Sequence, residues 1–207
     1  MAQLAPFGLR PVRMLDGSPY NGAVSLMAIP ASDGTATFIG DVVNFHTEAG
    51  AAGATVNGLN LEGVPYVVRS ADGTIGQNTA GVVVGFLPDP TALGTKYRLA
   101  STLRAVLVAP ADGIIYECQE DAVGENIAKE SANLNISYTT TAGSTATGVS
   151  KMALDSSAKA ATATLPLRLL GLAKRVGNAY GSSTSDAAYW EVYFNTSQQK
   201  PNIVGVA

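Results

Sequence analysis

His46 and Cys118 are the only histidine and the only cysteine in 207 residues, so nucleophilic or metal chemistry would have to be built around them. A Cys-His pair needs hydrogen-bond contact, which two positions so far apart in the chain do not establish. A serine triad would have to use His46, and the chain has no Gly-x-Ser-x-Gly elbow. Structural zinc takes four Cys or His ligands, against two candidates here. "DGTATFIGD" (33–41) brings two aspartates without the alternating pattern of a calcium loop. No Gly-Lys-Ser/Thr exists, and "GTKYR" (94–98) is only superficially like a phosphate loop. Glu117 with Glu120 and Asp121 could be drawn as a glycosidase pair, but spacing in sequence does not set carboxylate separation. The simpler readings are a polar His46 at a strand end, Cys118 as a small core residue, and a solvated carboxylate cluster. We expect no enzyme, no metal and no cofactor.

The elements that would position any site are strands. Short β-branched or aromatic runs occur at 23–30, 37–45, 65–69, 81–87, 104–109, 113–119, 134–138, 165–173 and 189–194. Asp16-Gly17, Asp33-Gly34, Asp72-Gly73, Asp112-Gly113, Asn21-Gly22 and Asn57-Gly58 punctuate them, and these pairs tolerate the positive φ of tight reversals. "VAPADGIIY" (108–116) is the clearest predicted hairpin. One helix is predicted over 120–133, where Val123 and Ile127 share a face and Asp121 can cap it. The tracts 47–63 and 139–150, rich in small residues, read as flexible loops. The fold class is therefore all-β: a single barrel or sandwich, jelly-roll-like, over 23–207, with one short helix and an extended N-terminal arm over 1–22.

Charged residues make up 14% of the chain and the net charge is −3, which argues against a general affinity for nucleic acid. The apolar run "GVVVGFL" (81–87) is far short of the ~20 residues that span a bilayer as a helix. The opening "APFGLRPVRMLDGSPYNGA" (5–23) has neither the apolar run of a secretory peptide nor a helix-forming pattern, because Pro6, Pro11 and Pro19 interrupt it. It is expected to belong to the mature protein, with strands starting only near Ala23. At the other end, alternation in "YWEVYF" puts Trp190, Val192 and Phe194 on a core face, and Tyr189, Glu191 and Tyr193 on the opposite one. Such a tyrosine strip suits a protein interface or, as the alternative function, a carbohydrate-binding or adhesin-type module.

The leader also carries a resemblance. Gly8-Leu9-Arg10-Pro11-Val12-Arg13 followed by Gly17-Ser18-Pro19-Tyr20 resembles the start of the tailed-bacteriophage capsid decoration (cement) proteins, with Leu9 where an aromatic is usual. Stretches 81–90, 96–102, 116–124 and 154–172 look similar too, so the likeness covers most of the chain. It implies a non-enzymatic protein made in the bacterial host cytoplasm and carried on the capsid exterior, clamping neighbouring major capsid subunits. In that setting the prolines would keep the leader extended and lower the entropy lost on docking. Fully stretched, it would reach about 60 Å at ~3.3 Å per residue. The expected partner-facing residues are Pro6, Phe7, Leu9, Arg10, Pro11, Arg13 and Tyr20, with Tyr189 and Tyr193. The expected partners are the major capsid protein and further copies of the chain, a dimer ahead of a trimer on base rates, with neither nucleic acid nor membrane.

Overall fold

Runs of β-branched residues with period-two burial, cut by Gly-containing turns, leave little choice but sheet. A computed structural model describes residues 4–71, 79–121, 134–162, 164–179, 187–195 and 197. The strands are β1 (Arg10–Met14), β2 (Ser25–Ile29), β3 (Val42–Ala49), β4 (Thr55–Val56), β5 (Leu59–Asn60), β6 (Pro65–Arg69) and β7 (Thr79–Phe86). They continue with β8 (Arg104–Pro110), β9 (Ile114–Gln119), β10 (Asn135–Tyr138), β11 (Leu154–Ala160), β12 (Leu167–Leu172) and β13 (Tyr189–Phe194). Among the described residues there is no helix. Most of the helix expected over 120–133 lies outside them, as does the Asp72-Gly73 turn.

Two large sheets and the small β4-β5 pair share the chain. β2, β6, β3, β7 and β8 close into a barrel, while β1-β9-β13-β12-β10-β11 form a six-stranded sheet. A bridge from Glu120 to Leu154 draws the far edge of that sheet round toward the end of β9. The barrel is filled by Met27, Ile29, Val43, Val67, Ala80, Val83, Val106 and Val108. The neighbouring residues Val42, Val82 and Ala109 point out of it and join the core of the sheet, around Tyr116, Trp190 and Phe194. That double use explains why "GVVVG" is apolar on both faces: β7 is buried on one side by the barrel and on the other by the sheet.

Three expectations are corrected. Strands begin at Arg10 and not near Ala23, because β1 pairs antiparallel with β9, Arg10 opposite Glu117 and Met14 opposite Ile114. The prolines concealed it, yet Pro11 sits on an edge strand where the register shifts, a place where a missing N–H is tolerated. The segment 108–116 is not a hairpin. Both edges of β8 are already taken by β2 and β7, so the chain must cross to the other sheet, where β9 pairs with β1 and β13. Tyr116 fixes that corner, its hydroxyl donating to the Ala109 and Pro110 carbonyls at 3.0 and 2.5 Å. The tract 47–63 carries structure as well: β3 runs on to Ala49, and β4 and β5 pair around Asn57 (φ 51°) and Gly58 (φ 80°). This small flap buries Leu61 against Ala28 and Ala105.

The largest polar commitment in the fold is Arg98, which is wholly buried. Its guanidinium donates to the carbonyls of Pro30, Asp33, Thr35 and Thr102 at 2.6–2.8 Å, and the Asp33 carboxylate lies 3.6 Å away. Only a planar fork of five donors can serve so many acceptors at once. Arg98→Lys should therefore lower stability by about 3 kcal/mol, because buried carbonyls lose their donors beside a displaced charge. Urea unfolding of the two proteins checks this, and an unchanged midpoint would show that the loops repack freely.

Candidate interaction surface

Alternation along β13 turns Trp190, Val192 and Phe194 inward and leaves Tyr189, Glu191 and Tyr193 half-buried on the outer face, as the sequence pattern requires. On the adjoining β9, Glu117 faces outward directly opposite Glu191, and Arg10 of β1 lies opposite Glu117 on its other side. Two carboxylates across a strand pair repel each other. Each is answered by an arginine: Arg13 Nη2 reaches Glu191 at 2.7 Å, and Arg175 Nε reaches Glu117 at 2.6 Å.

The leader adds an aromatic layer to this charged one. The Ala5 N–H donates to Gln119 Oε1 at 2.8 Å and holds the start of the leader against β9. Phe7 stacks on Tyr189 with ring centroids 5.8 Å apart. The Arg10 guanidinium lies 4.5 Å from the centre of the Phe7 ring, and that of Arg175 lies 4.6 Å from the Tyr189 ring. Guanidinium over an aromatic face is attracted by the ring quadrupole, most strongly where water is partly excluded. The result is an ordered outward patch of Arg10, Phe7, Tyr189 and Arg175, underlain by Glu117 and Glu191.

The sequence-derived residues thus divide. Phe7, Arg10, Arg13 and Tyr189 come together on this patch. Tyr193 lies on the same strand face, where its hydroxyl donates to Asp112 Oδ1 at 2.5 Å; burial first, and this carboxylate second, raise its pKa above the ordinary tyrosine value. Pro6 is half-buried beside them. Pro11 and Tyr20 line an adjoining groove that Phe7 and Arg10 also border. Leu9 is 2% exposed and packs in the core of the sheet. Arg175 had no signal in the sequence: it follows Lys174 after the end of β12 and is brought to the patch by the β12–β13 connection. The residues first weighed for chemistry do not converge. His46 sits in the barrel strand β3, its Nδ1 accepting from the Glu48 N–H at 3.3 Å. Cys118 is buried in the sheet interior, where burial pushes its thiol well up and keeps it unreactive. Glu120 accepts from the Ala188 N–H at 2.7 Å, and Asp121 from the Ser156 N–H at 3.0 Å. Among the described residues no group of three His, Cys, Asp or Glu side chains could hold a metal ion.

Comparison with models of protein families, with curated proteins and with solved structures found no match to this chain.

Glu117 is the one titratable group of the patch that is nearly buried, 5% exposed. Burial raises its carboxyl above the ordinary glutamate value, Arg175 and then Arg10 pull it down, and Glu191 adds to the rise. Between the ordinary value and the raised one, the folded chain keeps a proton that the unfolded chain has released. Stability from this group therefore falls as pH rises through that window. Glu117→Gln has no charge to gain, so its stability relative to the parent should increase between about pH 4 and about pH 7. Urea midpoints at the two pH values check the sign. The opposite trend would mean that the Arg175 contact outweighs burial.

Proposed function

We propose that the chain is a structural virion protein: a decoration, or cement, protein that binds the outside of an icosahedral phage head and clamps neighbouring major capsid subunits. The observation that carries the reading is a coincidence of residues. The leader motif behind the family resemblance, Gly8 to Arg13, is the same stretch that supplies Phe7's neighbours and Arg10 and Arg13 to the outward patch. A cement protein stabilises a shell by binding the assembled lattice and not its separated subunits, so its binding free energy adds to assembly. An arginine-aromatic patch suits that task, because arginine, tyrosine and phenylalanine are enriched in protein interfaces. Arg10 is placed to meet a carboxylate of a shell subunit through a charge-assisted bond, and Arg13, already paired with Glu191, has further guanidinium donors to add. Further copies of the chain complete the proposed assembly, with a dimer ahead of a trimer. A glycan is a poorer fit to this surface, since Tyr189 is already stacked by Phe7 and covered by Arg175.

Deleting the leader is an unsuitable test, because it would remove β1 and the buried Leu9 and unsettle the sheet itself. Point variants are cleaner. Arg10→Ala combined with Arg13→Ala should retain the parent's circular dichroism and weaken co-sedimentation with undecorated shells by about tenfold. The difference should shrink at high salt, where exposed charges are screened. Equal binding by parent and variant would remove the patch from the interface. No binding by the parent protein would overturn the capsid reading.

A further inference from the structure

The leader borders a furrow on the outer surface of the barrel, which Phe7 and Arg10 of the patch reach from one end. One groove of about 680 Å3 runs past Pro11 and Tyr20 and is floored by Val84, Leu107 and Ile39. A second, of about 550 Å3, continues from it. The two share Ile39 and take successive residues of β7, Val84 in the first, then Gly85 and Phe86 in the second. The common floor is Val84 and Gly85 with Leu107 opposite Gly85, since Val83 fills the barrel and Phe86 packs against its core.

The charges of the furrow are one-sided. Arg10 is the only charged residue of the first groove. The second has Asp89, Lys96 and Arg104, and Asp89 is engaged by Arg104 at 3.7 Å. Among the described residues neither Arg10 nor Lys96 makes an ion pair, so each half offers one cation in a chain of net charge −3, that of Arg10 held over the Phe7 ring. At the join, β7 has a glycine. A methyl group on Gly85 would meet only Leu107 Cδ1, at 3.9 Å. Glycine within a strand marks a place where another backbone can come close.

We propose that this furrow seats a short extended apolar segment of another protein, with a carboxylate on either side to meet Arg10 and Lys96. Apolar floor supplies the affinity and the paired cations set register and direction. A fatty acid has one carboxylate and would leave one cation unanswered. The partner is defined by the chemistry of the furrow, and the inference does not depend on the capsid reading.

The test is selection of a random heptapeptide library on the immobilised full-length protein, with Gly85→Leu as the counter-target. Leucine at that position fills the furrow from open space, and Val84→Glu, which puts a carboxylate on the floor, is the second blocking variant should Gly85→Leu fail to fold. Enriched peptides should have an apolar centre with Asp or Glu on both sides, and should not be retained by the blocking variant. A synthetic peptide of the enriched sequence should bind about tenfold more weakly to Arg10→Ala and to Lys96→Ala, as expected for a lost charge-assisted contact. No enrichment over the blocking variant, or enrichment of peptides without acids, overturns the proposal. So does oleate occupying the furrow where peptides do not. A parent dimer that becomes monomeric in the blocking variant by analytical ultracentrifugation would assign the furrow to a second copy of this chain instead. Peptide selection that succeeds while Gly85→Leu still co-sediments with shells would separate the furrow from capsid binding.

Discussion

The fold turns on a crossing of two glycines. Gly8 (φ +78°) and Gly40 (φ +96°) face each other so closely that a Cβ on either would come within 2.3–2.4 Å of a backbone oxygen of the opposing segment. The Leu9 N–H donates to the Gly40 carbonyl at 2.9 Å, and the Gly40 N–H to the Val83 carbonyl at 2.8 Å. Only backbone fits between these segments, and both φ values lie where residues with a Cβ are strained. The crossing sends Phe7 to the outer face and Leu9 to the core, and it aims the chain into β1. Next to it, the buried Asp41 accepts from Ser150 Oγ at 2.6 Å, the Phe38 N–H at 2.9 Å and Arg69 Nε at 2.8 Å. Arg69 in turn holds the Thr140 and Thr141 carbonyls. Leader, barrel and the 139–152 segment are therefore tied at one point.

Asp41 with Arg69, and Arg98 with its carbonyls, are costly ways to hold loops. Removing two charges from water consumes most of what their attraction returns. What such pairs supply is direction: a hydrophobic contact slides, whereas a guanidinium among several oxygens has one pose. The barrel core needs no such help, since Val43, Val83 and Val106 interlock as ordinary close-packed side chains. Polar fixation is spent where chain segments without regular pairing must be placed, and those segments border both the patch and the furrow.

Much of this was legible in the residues. The runs at 65–69 and 189–194 coincide with β6 and β13, and the face assignment of Trp190, Val192 and Phe194 follows from period two alone. Cys118 was recognisable as core because its neighbours alternate. Other features were hidden for physical reasons. β1 has a proline in it, and β11, "LDSSAKA", has one large apolar residue, so neither shows the alternation that marks a strand. The predicted hairpin failed because turn chemistry is local while strand pairing is not: Asp112-Gly113 makes its bend, with Gly113 at φ 77°, but the closed barrel leaves β8 no edge to offer. The patch was half legible. Phe7, Arg10, Arg13 and Tyr189 could be singled out, whereas Arg175 depends on a cross-sheet contact that no spacing encodes.

The extended character of the leader and its place in the sheet are compatible once the cost of ordering is considered. A free arm of this length would lose about 1–2 kcal/mol of backbone freedom per residue on docking. Here that cost is met during folding, by pairing with β9 and burial of Leu9. Stacking does the same for the side chains: Arg10 over Phe7 and Arg175 over Tyr189 already hold their guanidinium planes. A partner meeting such a surface has less left to order, so a few contacts go further toward affinity. Prolines that suit an extended arm thus serve a strand paired with β9, which presents cations on aromatic rings and borders an apolar furrow.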